Sequence, residues 1–191
     1  MADLAETLRA ALAPPRPDPP LPIGIPAAVV LPLVEGSEPA LLFTRRAEDM
    51  RHHRGEVSFP GGARHAEDAD LLATALRETE EELGIPAAAH DVLGRLVPMQ
   101  AAVSGYAVVP FVARLGTRPD LRPNPMEVAE VLELPLDRLA AAEVLEQREW
   151  DGASYDTYTY RVDGQVVWGL TGRILHHLLR TLEREGWTWE T

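Results

Sequence analysis

Four glutamates fall within five residues of one predicted helix, and they are the strongest chemical signal in the sequence. The stretch reads RETEEELG and runs from Arg77 to Gly84. At about 100° per residue, Glu78, Glu81 and Glu82 project from one side of the helix and Glu80 from another. Carboxylates this close repel one another unless a cation compensates them. Hard oxygen ligands gathered in this way suit Mg²⁺ or Mn²⁺, so the pattern predicts a metal site.

The same helix needs a buried face, and apolar residues at helical spacing supply one. The predicted buried stripe consists of Leu72, Leu76, Thr79 and Leu83. Gly84 stands where a helix C-terminal cap belongs. A solvated acidic surface is the alternative for any run of glutamates. Two features argue against that alternative, because the pair Gly61-Gly62 lies a short loop upstream and Arg77 is placed to orient the carboxylates.

This arrangement resembles the Nudix box, G-x5-E-x7-R-E-U-x-E-E-x-G-U, in which U is an aliphatic residue. Residues 77–85 match every specified position except Thr79, which stands in an aliphatic slot. The amino half departs from the pattern. Counting from the second glycine places Asp68 in the glutamate position and leaves one extra residue before the arginine, whereas counting from the first selects Glu67 and lengthens that spacing further. The choice between these two loop carboxylates stays open.

Composition excludes several kinds of protein. The 191-residue chain has a net charge of −12 and contains neither cysteine nor lysine. Disulfides and thiolate metal sites are therefore excluded, as are a P-loop and Schiff-base chemistry. The acidic charge argues against nucleic acid and anionic membranes as partners. No apolar run could span a bilayer and the N-terminus lacks the features of a secretion signal, so we expect a cytoplasmic protein; its oligomeric state stays open.

Two regions are expected along the chain. Residues 1–26 should form a short amphipathic helix, over 2–12, and a proline-rich arm that packs as a strap over the domain, although a ligand for a partner module is the alternative. Residues 27–191 should form a single domain of α/β class, with a mixed sheet between helical layers. The predicted strands are 27–34, 39–44, 57–59, 92–103, 106–115, 128–134 and 155–160; the predicted helices after the box are 136–142 and 170–185.

Five arginines cluster upstream of the box, which suggests an anionic ligand in a chain of this net charge. They are Arg45, Arg46, Arg51, Arg54 and Arg64. Ion pairs with nearby acids such as Glu48, Asp49 and Glu56 are the alternative for some of them. The neighbouring histidines, His52, His53 and His65, lack helical spacing to a third metal donor and are expected to be polar surface groups.

This region is similar to the motif of the coenzyme A pyrophosphatases of the Nudix superfamily, LLTxR-[SA]-x3-R-x3-G-x3-FPGG. Residues 42–47, Arg51, Gly55 and residues 59–62 reproduce it at every spacing, with Phe43 in place of the second leucine. The resemblance covers roughly residues 27 to 182. It implies a Nudix α/β/α sandwich and metal-dependent hydrolysis of coenzyme A to phosphopantetheine and adenosine 3′,5′-bisphosphate.

Residue roles follow from the pattern and the resemblance together. The expected metal ligands are Glu78, Glu81 and Glu82; the expected catalytic residues are Glu78, Glu81, Arg77 and Glu127; the expected substrate contacts are Arg46, Arg51, Gly61 and Gly62. Glu127 lies outside the box and is a candidate general base, with Glu78 as the alternative. Two other functions compete, a Nudix hydrolase of ADP-ribose or another dinucleoside diphosphate and a non-catalytic nucleotide-binding domain. Retention of all three box glutamates argues against the last.

Overall fold

The chain folds into four α-helices and eleven strands within the residues that the computed structural model describes, which are 3–47, 55–101, 104–116, 119–150 and 152–189. The helices are α1 Leu4–Ala11, α2 Leu71–Leu83, α3 Leu136–Ala141 and α4 Gly169–Arg184, with a 3-10 helix at Ala87–Ala89. The strands are β1 Ile25–Val34, β2 Ala40–Arg46, β3 Val57–Ser58, β4 Gly61–Ala63, β5 His90–Arg95, β6 Met99–Gln100, β7 Tyr106–Leu115, β8 Val128–Pro135, β9 Glu143–Trp150, β10 Ala153–Val162 and β11 Gln165–Val167. No helix in these ranges is long and apolar enough to cross a membrane.

Strand β1 is the centre of the larger sheet. It pairs in parallel with β7 from Ile25 opposite Tyr106 to Val34 opposite Leu115, and it pairs antiparallel with β2 and β4. The main path of this eight-stranded sheet is β3-β2-β1-β7-β5, and β8 pairs with β2 and β6 with β7. A second sheet has the order β11-β10-β9. The central sheet is therefore mixed, as predicted.

The two faces of β1 bury different helices. Ala28 and Val30 pack with α2, whereas Leu31 and Leu33 belong to a larger core that includes α1 and α4. Because side chains alternate along a strand, one apolar strand serves both layers. The result is the predicted α/β/α sandwich.

Helix α2, which carries the glutamates, has a defined cap at each end. The Asp70 carboxylate accepts a hydrogen bond from the Ala73 N–H at 2.7 Å, and Gly84 adopts the left-handed conformation at φ 70°. The predicted stripe is buried at Leu72 and Leu83. Thr79 is also buried, and its hydroxyl donates to the Ala75 carbonyl at 2.7 Å, which explains how a threonine occupies an aliphatic position.

The N-terminal segment packs against the domain and contacts the start of α2. Leu4 and Leu8 of α1 are buried in the core shared with α4. Farther along, the Asp18 carboxylate accepts from the Leu71 N–H at 3.0 Å, and Arg16 pairs with Asp70. The proline-rich arm thus contacts the domain through Arg16 and Asp18.

The strand predictions differ from the structure in two ways: one predicted strand is divided, and β4, β9 and β11 are not among the predicted strands. The strand expected over 92–103 is divided into β5 and β6 around Pro98, which has no N–H to donate to a ladder, and residues 102 and 103 lie outside the described residues. Strand β9 was not predicted. Its sequence EVLEQREW is rich in charge because it is an edge strand, paired only with β10.

Candidate active site

A cavity of about 820 Å³ lies beside the box helix and collects four of the predicted charged site residues. These are Arg46 from β2, Glu78 and Glu82 from α2, and Glu127 from the loop before β8. The predicted glycines Gly61 and Gly62 also line the cavity. Its apolar wall consists of Ala27, Val29, Phe59, Tyr106, Val108, Leu170 and Ile174. One end of the cavity is therefore ionic, and the rest is largely apolar.

The glycine pair allows the sheet to approach the Glu78 carboxylate. A Cβ atom on Gly62 would lie 2.5 Å from Glu78 Cδ. At that distance the Glu78 side chain would have to move. Gly61 has φ 149°, and a Cβ atom there would lie 2.3 Å from the Ala28 carbonyl oxygen. Gly61 is therefore required for backbone reasons, whereas a side chain at Gly62 would displace the Glu78 carboxylate. They form β4, which pairs antiparallel with β1 instead of forming a free loop.

Arg77 joins the carboxylates of the loop and the helix. Its Nε and Nη2 atoms donate to the two oxygens of Asp68 at 2.9 and 3.1 Å, and Nη1 donates to Glu78 Oε1 at 2.9 Å and Glu81 Oε2 at 3.1 Å. Only 6% of the Asp68 side chain is exposed. Hydrogen bonds from Arg77 hold the pKa of Asp68 well below its usual range, and the same contacts raise the pKa of Arg77. Arg77 therefore fixes the position of the Glu78 carboxylate by a hydrogen bond.

These contacts decide between the two loop carboxylates. Asp68 is the residue bound to Arg77, and Glu67 is exposed. The Asp68 carboxylate also accepts from the Thr74 hydroxyl and the His65 N–H, each at 2.9 Å. A turn closed by Asp68 N–H donating to the His65 carbonyl at 3.2 Å lies just before the helix and accommodates the extra residue of the loop.

Glu82 is the electrostatic exception on this helix. The residue is 6% exposed, and its Oε2 atom is buried without a hydrogen-bond partner in the described part of the chain. Burial raises its pKa to about 8; the Arg46 charge opposes that rise, and the charges of Glu78 and Glu127 add to it. Burial also raises the pKa of Glu78. An additional cation at this end of the cavity would stabilise both ionised carboxylates.

The donor chemistry fits Mg²⁺ or Mn²⁺, because carboxylate oxygens are the ligands that these ions prefer. The buried, unpartnered Oε2 of Glu82 is the observation that a bound cation would explain best. No group of three or more acidic or histidine side chains in the described ranges forms a complete metal cluster. Glu78 and Glu82 would thus supply part of the coordination, and water and substrate oxygens the remainder.

The loop that carries Glu127 is docked on the end of α2. The Asn124 N–H donates to the Glu82 carbonyl at 2.9 Å, and the Arg122 N–H donates to the Leu83 carbonyl at 2.8 Å. The Asn124 side-chain amide then donates to Glu127 Oε1 at 2.9 Å. This chain of contacts positions a residue that is remote from the box in sequence on the same cavity.

Other predicted residues lie elsewhere. Glu81 is paired with Arg77, its side chain is 52% exposed, and it is not among the residues that line the cavity. Among the upstream arginines, Arg45 pairs with Glu130 at 3.0 Å and Arg64 with Asp18 at 3.4 Å. Arg46 lines the cavity, and its buried Nε has no partner in the described residues. Arg51, together with Arg54, His52 and His53, lies outside the described residues.

Sequence reasoning missed the contribution of β7 and of the first turns of α4. Tyr106 and Ile174 line the cavity, and Thr171 does so beside Leu170. None of these residues carries a charge or a metal-ligand pattern. Their only signal was the regular apolar spacing of a strand and a helix, which predicts burial without indicating a cavity.

Comparisons with known proteins show which sequences this chain resembles. The NUDIX domain family matches residues 24–156. The chain is 38% identical over 159 residues to a Photorhabdus laumondii protein named uncharacterized Nudix hydrolase NudL, covering 82% of this chain and 84% of that one. It is 40% identical over 154 residues to the protein of that name from Yersinia pestis, covering 80% and 77%.

Solved structures are similar in fold. A MutT/nudix family protein from Enterococcus faecalis superimposes with a TM-score of 0.55 at 16% identity, covering 96% of this chain and 69% of that one. An Ap4A hydrolase from C. elegans superimposes with a TM-score of 0.51 at 18% identity, covering 58% and 80%. At these identities the likeness concerns the fold alone.

Proposed function

Because the chain belongs to the Nudix hydrolase family, we propose that it hydrolyses the diphosphate bond of coenzyme A or its derivatives to phosphopantetheine and adenosine 3′,5′-bisphosphate, with Mg²⁺ or Mn²⁺. The observation that carries the proposal is the ionic end of the cavity. There the buried carboxylate of Glu82 and the cation Arg46 line one site. A metal-binding carboxylate beside an arginine suits a substrate whose reacting group is a diphosphate.

In this proposal the box helix holds the metal. Glu78 and Glu82 line the cavity one helical turn apart. Arg77 holds the Glu78 carboxylate by a hydrogen bond. When bound, the ion supplies positive charge against the diphosphate oxygens, whose negative charge otherwise repels an incoming nucleophile. Glu81 joins the coordination only by leaving Arg77, which its exposed side chain is free to do.

Glu127 is the proposed general base. It lines the cavity, and the Asn124 amide holds one of its oxygens, which leaves the other to accept a proton from water. Glu78 is the alternative base. Its carboxylate already accepts from Arg77 and lies against Gly62, so it is more suited to a fixed ligand position than to proton transfer.

The coenzyme A assignment depends on the motif upstream of the box. Arg46 is one of its fixed positions and lies on the cavity, where it is proposed to contact the diphosphate. Arg51 is the second charged position of the motif and is proposed as a further substrate contact. Phe59 and the glycine pair at the end of the motif line the same cavity. The motif thus contributes directly to the site in the residues that the structure describes.

A substrate panel tests the proposal. The protein is incubated with Mg²⁺ or Mn²⁺ and coenzyme A, ADP-ribose, NADH or diadenosine polyphosphates, and the products are identified by mass spectrometry. We expect the highest kcat/KM for coenzyme A or a derivative, and a loss of about a thousandfold or more in Glu82→Gln. A higher kcat/KM for ADP-ribose would replace the substrate assignment, and hydrolysis of none of them would favour a binding domain.

A further inference from the structure

Arg173 of helix α4 is a half-buried cation without an acidic partner. Its Nε is buried and makes no hydrogen bond in the described part of the chain, and its Nη2 donates to the backbone carbonyl of Gln100. No carboxylate of the described residues pairs with it, and burial lowers its pKa. Taking a guanidinium out of water without a counter-charge is costly, so the position requires an explanation.

Most other arginines of the described chain do have acidic partners. On the same helix, Arg180 pairs with Glu143 at 3.1 Å and with Glu183 at 2.5 Å. The sequence holds 30 acidic residues and 18 basic ones, so a partner is usually available. Among the described residues Arg46, Arg95, Arg173 and Arg184 depart from this pattern. Of these, Arg46 lines the cavity, and Arg173 directly precedes Ile174, which lines it.

The position of Arg173 relates it to the apolar end of the cavity. Leu170 and Ile174 of α4 line the cavity. Arg173 lies one turn after Leu170, about 60° around the helix from it. Its partner Gln100 lies in β6 opposite Ala107, between the cavity-lining residues of β7. Arg173 therefore lies where α4 meets β6, whereas Arg46 lies at the end of β2.

We propose that Arg173 forms a second anion subsite, which binds a phosphate monoester that the substrate carries at a distance from the diphosphate under attack. The inference rests on the proposed function and deepens it, because coenzyme A carries such a group as the 3′-phosphate of its ribose. A cavity of about 820 Å³ leaves space beyond a diphosphate for the nucleoside that links the two groups. A guanidinium that lacks a carboxylate partner has donors available for phosphate oxygens.

The test compares Arg173→Gln with wild type on coenzyme A and 3′-dephospho-coenzyme A. A charge-assisted contact to phosphate corresponds to about tenfold or more in kcat/KM. We expect wild type to prefer coenzyme A by about tenfold and Arg173→Gln to have a preference near one, with the loss confined mainly to coenzyme A. Arg173→Lys should retain part of the preference. Arg184→Gln is the matched control, since Arg184 is exposed on the same helix and contacts only Thr181 and the Arg180 carbonyl.

Equal losses on the two substrates, or no preference in wild type, would overturn the subsite. A second measurement separates this result from failure of the proposed function. If wild type hydrolyses neither substrate, calorimetry without metal compares adenosine 3′,5′-bisphosphate with adenosine 5′-monophosphate. About tenfold tighter binding of the bisphosphate by wild type, lost in Arg173→Gln, supports the subsite, and equal affinities in wild type refute it. Thermal melting of each variant establishes that it is folded.

Discussion

Asp68 and Glu82 are two largely buried carboxylates, one before and one after Arg77 in the sequence. They differ in whether their oxygens have hydrogen-bond donors. Both oxygens of Asp68 accept hydrogen bonds from Arg77, and backbone and hydroxyl donors complete the set. Glu82 has a buried oxygen without any partner in the described residues. The pKa of Asp68 is accordingly lowered, whereas burial raises the pKa of Glu82.

The difference separates a structural group from a binding group. Asp68 and Arg77 satisfy each other and fix the loop to the helix, so their charges stabilise the fold without being available to a ligand. Glu82 bears an unsatisfied group, which costs free energy in the metal-free protein. A cation that binds there would offset that free-energy cost. Glu82, the carboxylate on the helix whose charge is least stabilised, is therefore the best candidate for a functional role.

The largest expected effect comes from Glu82→Gln. We expect kcat/KM at saturating Mg²⁺ to fall by about a thousandfold or more, because the variant loses a metal ligand, and Glu78→Gln should behave similarly. The matched control is Glu80→Gln, since Glu80 is exposed on the same helix. Turnover near the wild-type level in both Glu78→Gln and Glu82→Gln would remove them from the metal site.

Breaking the Asp68–Arg77 ion pair should mainly lower the free energy of unfolding. Asp68→Asn leaves Arg77 without its bidentate partner in a largely buried position, and we expect a loss of about 3 kcal/mol in the free energy of unfolding. Urea denaturation measures it. The neighbouring change Glu67→Gln, at an exposed position, should stay within about 0.5 kcal/mol of wild type. Similar stabilities for the two variants would contradict the structural role of Asp68.

Glu127→Gln tests the proposed base. We expect kcat to fall by about a hundredfold, with the affinity for Mg²⁺ unchanged, because the change removes a proton acceptor and leaves the box carboxylates in place. The measurement is kcat against pH, together with a metal titration. An unchanged kcat and pH profile would return the role to Glu78 or to the metal alone.

The raised pKa of Glu82 predicts a pH dependence of the metal-free protein. Between pH 5 and pH 7 Glu82 is largely ionised in the unfolded state, where its ordinary pKa is 4.5, while the folded state retains the proton up to about pH 8. The folded state then binds more protons, so wild-type stability falls as pH rises. Glu82→Gln lacks this loss, and its stability relative to wild type should improve by about 2 kcal/mol over that range. Urea denaturation in EDTA at both pH values measures it, and a constant difference would show that Glu82 ionises normally.

Much of the fold could be predicted because its signals are local. The caps of α2, the paired strands β1 and β2, and the Asp163-Gly164 turn between β10 and β11 all depend on residues close together in the chain. Strand β9 gave no such signal, since its charged side chains reflect an exposed edge. The division of the strand at 92–103 depended on one proline, Pro98.

The carboxylates that line the cavity could be predicted from the sequence, and their hydrogen-bond partners could not. The helix period placed Glu78 and Glu82 on one side, and both line the cavity. The choice of Asp68 over Glu67 depended on how a loop with one extra residue folds back, which spacing alone does not determine. Arg173 could not be recognised, because its distinguishing feature is the absence of an acidic partner within the described tertiary structure.

Glu81→Gln gives the smallest expected effect and the most direct test of the comparison. Glu81 was predicted as a metal ligand, and in the structure its half-exposed carboxylate bonds Arg77 at 3.1 Å. An exposed ion pair contributes little to stability, and Arg77 keeps its contacts with Asp68 and Glu78 without it. We therefore expect less than about a threefold change in kcat/KM and an unchanged Mg²⁺ dependence. If the bound ion instead draws Glu81 away from Arg77, the loss will approach that of Glu82→Gln and the Mg²⁺ requirement will rise. That result would place Glu81 with Glu78 and Glu82 as a metal ligand and show that its contact with Arg77 is exchanged for the metal.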